Sequence, residues 1–275
     1  NILEPLIGYT RKTEHHNITR VDGVKGVEKY YNDILSAKQD GRLTGKRDIG
    51  FNIIANKAAA IQTRQDGFDV TLSIPLSLQR KIELELDEAK KRYKVREIIA
   101  GIMDSKTGKF LALATSNRFD PKHIQQKDYP HLNLNAIEYS YEPGSTIKPI
   151  IYAILLQKGM VNPSDVIELD NGYYKLKSYT IRDTHPLKSG SVEDIIVRSS
   201  NIGMVKISKD LKPNEYYTAL HAFGFGELSG IDLPYEKTGL VPSPKTFQNE
   251  VYRASVSYGY GMRATFMQLM RSYAI

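Results

Sequence analysis

Tyr141-Glu-Pro-Gly-Ser-Thr-Ile-Lys-Pro149 decides how this chain is read. Pro143-Gly144 marks a turn, and the apolar residues beyond it (Ile147, Ile150, Ile151, Ala153, Ile154, Leu155, Leu156) predict a helix buried on nearly every side. Ser145 and Lys148, three residues apart at the start of that helix, share one face. Pro149 fits there because first-turn N–H groups have no intrahelical acceptor to lose. A serine hydroxyl is a poor nucleophile at its free pKa. A neighbouring lysine can act as its base when burial and nearby positive charge keep the amine neutral. The implied chemistry is Ser-Lys acyl transfer. Alone, Ser-x-x-Lys is a weak signal, since a capping serine and a surface lysine also produce it. Here it is the only such spacing in the chain, and it precedes a hydrophobic helix in which the lysine must be buried or snorkel.

A second polar cluster lies in Val192-Glu-Asp-Ile-Ile-Val-Arg-Ser-Ser-Asn-Ile-Gly-Met-Val-Lys-Ile207, where Ser199-Ser200-Asn201 interrupts an apolar helical run. Buried polar groups need partners. One reading is local, with the three residues ending one helix and capping the next. Taken together with Ser145 and Lys148, they resemble the Ser-x-Asn element of the penicillin-recognising serine enzymes, whose signatures are Ser-x-x-Lys, Ser-x-Asn and Lys-Thr-Gly. The resemblance implies that Ser199 relays a proton near Lys148 and that Asn201 holds the substrate amide.

Further stretches are similar to class B penicillin-binding proteins of the septal, cell-division type. Gly67 to Gln79 resembles the opening of that family's transpeptidase domain, and Met103 to Ala114 its first hairpin. Phe223-Gly-Phe-Gly226, Gly230-Ile-Asp-Leu-Pro234 and Arg253 to Met262 follow in the family's order. The resemblance implies an α+β penicillin-binding/serine β-lactamase-like transpeptidase domain over 68–275, preceded by a small mixed pedestal fragment over 1–67. It implies a peptidoglycan D,D-transpeptidase with catalytic residues Ser145, Lys148, Ser199 and Asn201, acylated by β-lactams and needing no metal or cofactor. Its partners would be stem peptides ending in D-Ala-D-Ala, amine acceptors, a glycosyltransferase and other division proteins. A membrane anchor before Asn1 and a periplasmic catalytic domain are also implied. The alternatives are an elongation-type class B enzyme, a serine β-lactamase, a β-lactam sensor and a non-catalytic division scaffold.

Lys237-Thr238-Gly239 spells the third signature but sits between Pro234 and Pro242-Ser-Pro244, which predicts a loop rather than the strand this signature requires. The family's true Lys-Thr/Ser-Gly strand follows the helix expected over 265–275, so it is expected beyond Ile275.

Composition sets bounds on this reading. The 275 residues are long enough for one large core plus an appendage, and with no cysteine there are no disulfides and no thiol chemistry. The net charge of +7 is interspersed with Asp and Glu, which argues for a solvated surface and against a nucleic-acid face. No run of about 18 apolar residues is present. Asp69 to Ile74 alternates like a strand. From Pro75 a helix is expected with the stripe Leu78, Ile82, Leu86, Ala89 and Tyr93, and Glu97–Met103 with Lys109–Thr115 reads as a hairpin, after which helices dominate. His15-His16 lacks a third ligand for a metal site, and His131, His185 and His221 are isolated. Asp183, polar within a possible strand, has no assigned role.

Overall fold

A computed structural model describes residues 2–15, 18–55 and 59–275. The readings placed on Asn1 and His16 lie outside those residues. The chain divides into two compact units. The first takes the chain up to Asp104 with Lys109–Leu134 and Asp232–Pro234, and the second takes Ser105–Gly108, Asn135–Ile231 and Tyr235–Ile275.

In the first unit, β1 (Thr10–His15) pairs antiparallel with β2 (Ile18–Gly23), followed by the short helices α1 (Gly26–Tyr30) and α2 (Asn32–Leu35). A two-stranded ribbon joins β3 (Arg42–Thr44) to β4 (Ala60–Gln62). Helix α3 (Leu76–Tyr93) starts after Pro75, carries Lys90, Lys91 and Arg92 in its last turn, where cations favour the helix dipole, and stops at Lys94 in the left-handed region. Hairpin strands β5 (Ile99–Met103) and β6 (Phe110–Thr115) pair antiparallel, as their sequence predicts.

Two expectations are corrected here. Asp69–Ile74 forms no strand. Alternation favours an extended chain, but a ladder needs a partner, and among the described residues none pairs with it; the Ser73 hydroxyl donates to Phe110 O at 2.6 Å. The inner face of α3 is Gln79, Glu83 and Leu86, while Tyr93 is exposed. Two polar side chains are tolerated there because each is satisfied. Gln79 Nε2 donates to Leu113 O at 3.0 Å and to Glu83 Oε1 at 2.9 Å, Gln79 Oε1 accepts from Leu113 N at 3.1 Å, and Glu83 Oε1 also accepts from Leu3 N at 2.9 Å.

The second unit runs α4 (Asn135–Glu138), β7 (Ser140–Tyr141), a 3-10 turn at Gly144–Ile147, α5 (Lys148–Gln157), β8 (Val166–Glu168), β9 (Tyr173–Leu176), β10 (Tyr179–Arg182) and β11 (Ser189–Ser191). Then come α6 (Val192–Val197), α7 (Asn201–Ser208), α8 (Pro213–Ala222), α9 (Pro244–Phe247), α10 (Glu250–Ser257), β12 (Ala264–Thr265) and α11 (Phe266–Ala274). The antiparallel pairs are β8 with β11, β9 with β10 and β7 with β12. The β9–β10 hairpin interrupts what the sequence reads as a helical stretch. Helix α5 is central, with its Ile150, Ile151, Ile154 and Leu155, and Ile147 of the preceding turn, buried in one core with Val192 and Ile195 of α6, Ile202 and Met204 of α7, and Val256 of α10. Truncating one such side chain costs about 2–5 kcal/mol, a large share of a domain's net stability of about 5–15 kcal/mol. That packing fixes the axis on which Lys148 is mounted. Antiparallel pairs with helices largely separate from them give the expected α+β class.

Candidate active site

Ser145 occupies the 3-10 turn leading into α5 and is exposed, whereas Lys148, the first residue of α5, is only 2% exposed. The turn is held from several sides. Gly144, at φ +57°, donates its N–H to Gly259 O at 3.1 Å, and Gly261 N donates to Glu142 Oε1 at 2.8 Å. The Tyr273 hydroxyl donates to Thr146 O at 2.7 Å, and Thr146 Oγ1 donates to Pro143 O at 2.6 Å. Gly259 has φ +91°, and a Cβ there would sit 2.0 Å from Gly144 O, so only glycine lets the two backbones touch. The Tyr258-Gly-Tyr-Gly261 stretch is thus the seat of the serine turn.

Lys148 Nζ donates to Ser199 O at 2.6 Å, to Asn201 Oδ1 at 2.7 Å and to Ser199 Oγ at 3.0 Å. These three acceptors match the three protons of an ammonium group. They converge because Ser199 follows α6 in the left-handed conformation, φ +56°, which turns its carbonyl and its hydroxyl toward the same amine. A non-glycine residue held there stores backbone strain, as functional sites often do. Burial lowers the Lys148 amine from its ordinary 10.5 to about 8, and the Asp183 carboxylate opposes part of that shift. Asn201 Nδ2 donates to Arg182 O at 3.0 Å, which leaves one amide proton for a ligand.

Of the four residues singled out from sequence, Lys148, Ser199 and Asn201 are in direct contact, and Ser145 sits on the turn that begins the lysine's helix. The local reading of Ser199-Ser200-Asn201 holds as well. Ser200 is the N-cap of α7, its Oγ accepting from Gly203 N at 2.8 Å. What sequence reasoning left unassigned is the role of Asp183, which follows β10. Its Oδ1 accepts from Asn201 N at 2.6 Å and Ile202 N at 3.1 Å, and its Oδ2 accepts from Ser200 Oγ at 2.5 Å. The available signal was the need of the α7 N-terminus for acceptors beyond its own cap.

Lys237-Thr238-Gly239 lies in coil with Lys237 and Thr238 exposed, as the flanking prolines predict. Its backbone is used structurally, Lys237 N donating to Ile137 O at 2.9 Å and Thr238 O accepting from Gln268 Nε2 at 2.8 Å. His221 Nδ1 faces Glu227 Oε1 at 3.1 Å. Among the described residues no group of three or more His, Cys, Asp or Glu is placed to hold a metal ion, and no helix is long and apolar enough to cross a membrane.

Residues 98–275 match the penicillin binding protein transpeptidase domain. The chain is 31% identical over 254 residues to a probable peptidoglycan D,D-transpeptidase, PenA, of Neisseria flavescens, covering 92% of this chain and 62% of that protein. It is 29% identical over 269 residues to the peptidoglycan D,D-transpeptidase FtsI of Escherichia coli K12, covering 98% of this chain and 44% of that protein. The crystal structure of penicillin binding protein 2X from Streptococcus thermophilus superposes with a TM-score of 0.84 at 22% identity, over 99% of this chain and 40% of that one, which establishes likeness of fold. The chain spans about half the length of the curated relatives it matches.

Proposed function

The chain belongs to the penicillin-binding protein transpeptidase family, and from that premise we propose that it is the catalytic portion of a division-type peptidoglycan D,D-transpeptidase with Ser145 as nucleophile. The observation that carries this reading is the buried Lys148 amine, 3.0 Å from Ser199 Oγ and 2.7 Å from Asn201 Oδ1, on the helix that the Ser145 turn begins. Ser199 O and Asn201 Oδ1 can only accept hydrogen bonds. When Lys148 loses a proton, these two keep its remaining N–H groups and its lone pair is left for a hydroxyl.

Ser145 Oγ–H passes its proton to that lone pair as Oγ bonds to the carbonyl carbon of the penultimate D-Ala. The Ser145 N–H is one donor to the resulting oxyanion. In this reading the family's Lys-Thr/Ser-Gly strand supplies the second donor. Collapse of the tetrahedral intermediate breaks the carbon–nitrogen bond to the terminal D-Ala, whose nitrogen takes the proton from Lys148 through Ser199 Oγ. Asn201 uses its remaining amide proton on the substrate amide. An amine from a neighbouring stem peptide then attacks the acyl-enzyme, gives up a proton to the neutral Lys148 amine, and forms the cross-link as the ester bond breaks and Ser145 Oγ takes that proton back. A β-lactam follows the first half of this path, but its nitrogen stays tethered after the ring opens, so the acyl-enzyme stalls.

In this reading residues 1–67 serve as a non-catalytic pedestal and 68–275 as the transpeptidase domain. The intact protein is anchored in the inner membrane with this portion in the periplasm, beside a glycosyltransferase and other division proteins. The β-lactamase alternative needs a water-activating base. The two carboxylates described at the site are engaged, Glu142 by Gly261 N and Asp183 by α7.

The test is labelling of the full-length protein with a fluorescent penicillin followed by peptide mapping. The expected adduct is on Ser145, absent from Ser145→Ala, and lasts many minutes. An adduct on another residue refutes the assignment, and rapid nitrocefin turnover puts the β-lactamase reading first.

A further inference from the structure

We propose that Asp183 is a positioning residue for the acyl-transfer site, one that locks Ser199-Ser200-Asn201 against Lys148. The inference rests on the transpeptidase reading above and adds to it a residue outside the three signature elements.

The first support is geometric. Helix α7 begins at Asn201, and its first three N–H groups have no intrahelical acceptor. Asp183 Oδ1 takes two of them, Asn201 N at 2.6 Å and Ile202 N at 3.1 Å, and Ser200 Oγ takes the third, Gly203 N at 2.8 Å. Ser200 Oγ in turn donates to Asp183 Oδ2 at 2.5 Å. One carboxylate therefore fixes the backbone at Asn201 and the side chain at Ser200, on either side of the peptide bond that joins them. The residues it fixes are the ones that matter to the lysine, because Ser199 O, Ser199 Oγ and Asn201 Oδ1 are the acceptors of Lys148 Nζ. Charged acceptors at a helix N-terminus are also favoured by the helix dipole.

The carboxylate is itself held. The β9–β10 hairpin delivers it, its own N–H donates to Gly172 O at 3.2 Å, and the neighbouring Arg182 carbonyl accepts from Asn201 Nδ2 at 3.0 Å. Arg182 directs its guanidinium over the Tyr173 ring, 5.5 Å from the centroid. The other residues in contact with Lys148, Ser199 and Asn201, do not titrate, so Asp183 is the formal charge acting on the amine, and it opposes the effect of burial. Removing the charge while keeping the shape should therefore make Lys148 easier to deprotonate, and removing the shape should let the Ser199–Asn201 turn drift.

Two variants of the full-length protein separate these effects, read as the rate of acylation by a fluorescent penicillin across pH. In Asp183→Asn the amide oxygen still accepts the two backbone N–H groups and the amide nitrogen donates to Ser200 Oγ. The plateau rate should stay within about threefold, and the acid limb should move to lower pH by on the order of half a unit to one unit. Asp183→Ala removes all three hydrogen bonds and should lower the plateau at least about tenfold, the scale for loss of a charge-assisted bond at a site. A structural cap alone would leave the limb of Asp183→Asn where the wild type has it, and that result overturns the proposal. A wild-type plateau in Asp183→Ala overturns it equally. If Asp183→Ala does not fold, the limb of Asp183→Asn decides alone. Should the wild-type adduct map away from Ser145, the transpeptidase reading and this inference fall together. An adduct on Ser145 with coincident limbs removes only this inference.

Discussion

One methyl group at position 259 tests how the nucleophile is seated. Gly259 sits at φ +91°, and a Cβ built there lies 2.0 Å from Gly144 O, 2.4 Å from Gly144 C and 2.5 Å from Gly144 Cα. These are backbone atoms that cannot swing aside, and ordinary contact needs about 3.4 Å or more between heavy atoms. The Gly144 turn must therefore retreat by about 1 Å or more, and Ser145 is the next residue. A misplacement of that size costs about a hundredfold in rate. Positive φ adds a conformational penalty of about 1–2 kcal/mol for an alanine. The control is Gly159→Ala after α5, at φ +64° with nothing within 4 Å of a new Cβ, which carries the backbone penalty without the collision. Measured on the full-length protein, Gly259→Ala should be acylated by fluorescent penicillin about a hundredfold more slowly than wild type and Gly159→Ala at nearly the wild-type rate, with thermal unfolding reporting the strain in each. If Gly259→Ala acylates within about threefold of Gly159→Ala, the serine turn is not seated on Gly259 and the reasoning is wrong.

With its pKa at about 8, Lys148 is protonated and unable to accept a proton at lower pH, so acylation should climb about tenfold per unit from pH 6 to 7 and level off above about 8. An ordinary lysine would still be climbing at pH 10, and a rate flat between pH 6 and 8 would exclude this amine as the base. Lys237→Ala should leave acylation within about threefold of wild type, since that side chain is exposed and it is the backbone of its loop that bonds to Ile137; a larger loss would return Lys237-Thr238-Gly239 to the active site.

The candidate site was legible because its pattern is written locally. Once the segment is helical, three-residue spacing puts Ser145 and Lys148 a turn apart, and Ser199-Ser200-Asn201 stands out as polarity inside an apolar run. The role of Asp183 could not be assigned for the opposite reason. It reaches Asn201 across 18 positions, a contact made only because β9 and β10 fold back as a hairpin. The coil at Lys237-Thr238-Gly239 was legible from the prolines around it, since loop-forming residues act over a few positions. The failures near residue 70 share a cause. Alternation in Asp69–Ile74 describes an extended segment and says nothing about a pairing partner, and a hydropathy stripe on α3 has no means of anticipating that Gln79 and Glu83 are satisfied by Leu113 and Leu3.

The paired bonds between Gln79 and Leu113 have a further effect on the hairpin. Donating to Leu113 O and accepting from Leu113 N, the carboxamide fills a rung that a neighbouring strand would otherwise occupy. Unpaired sheet edges recruit foreign strands and seed aggregation. Here a helix side chain plugs the outer edge of β6 at its middle, so an added strand would have to displace a buried glutamine to run along it. On the far side of β5, Ile99–Met103, no strand pairs among the described residues. The two edges of the hairpin thus differ, that of Phe110–Thr115 carrying a helix side chain on its middle rung.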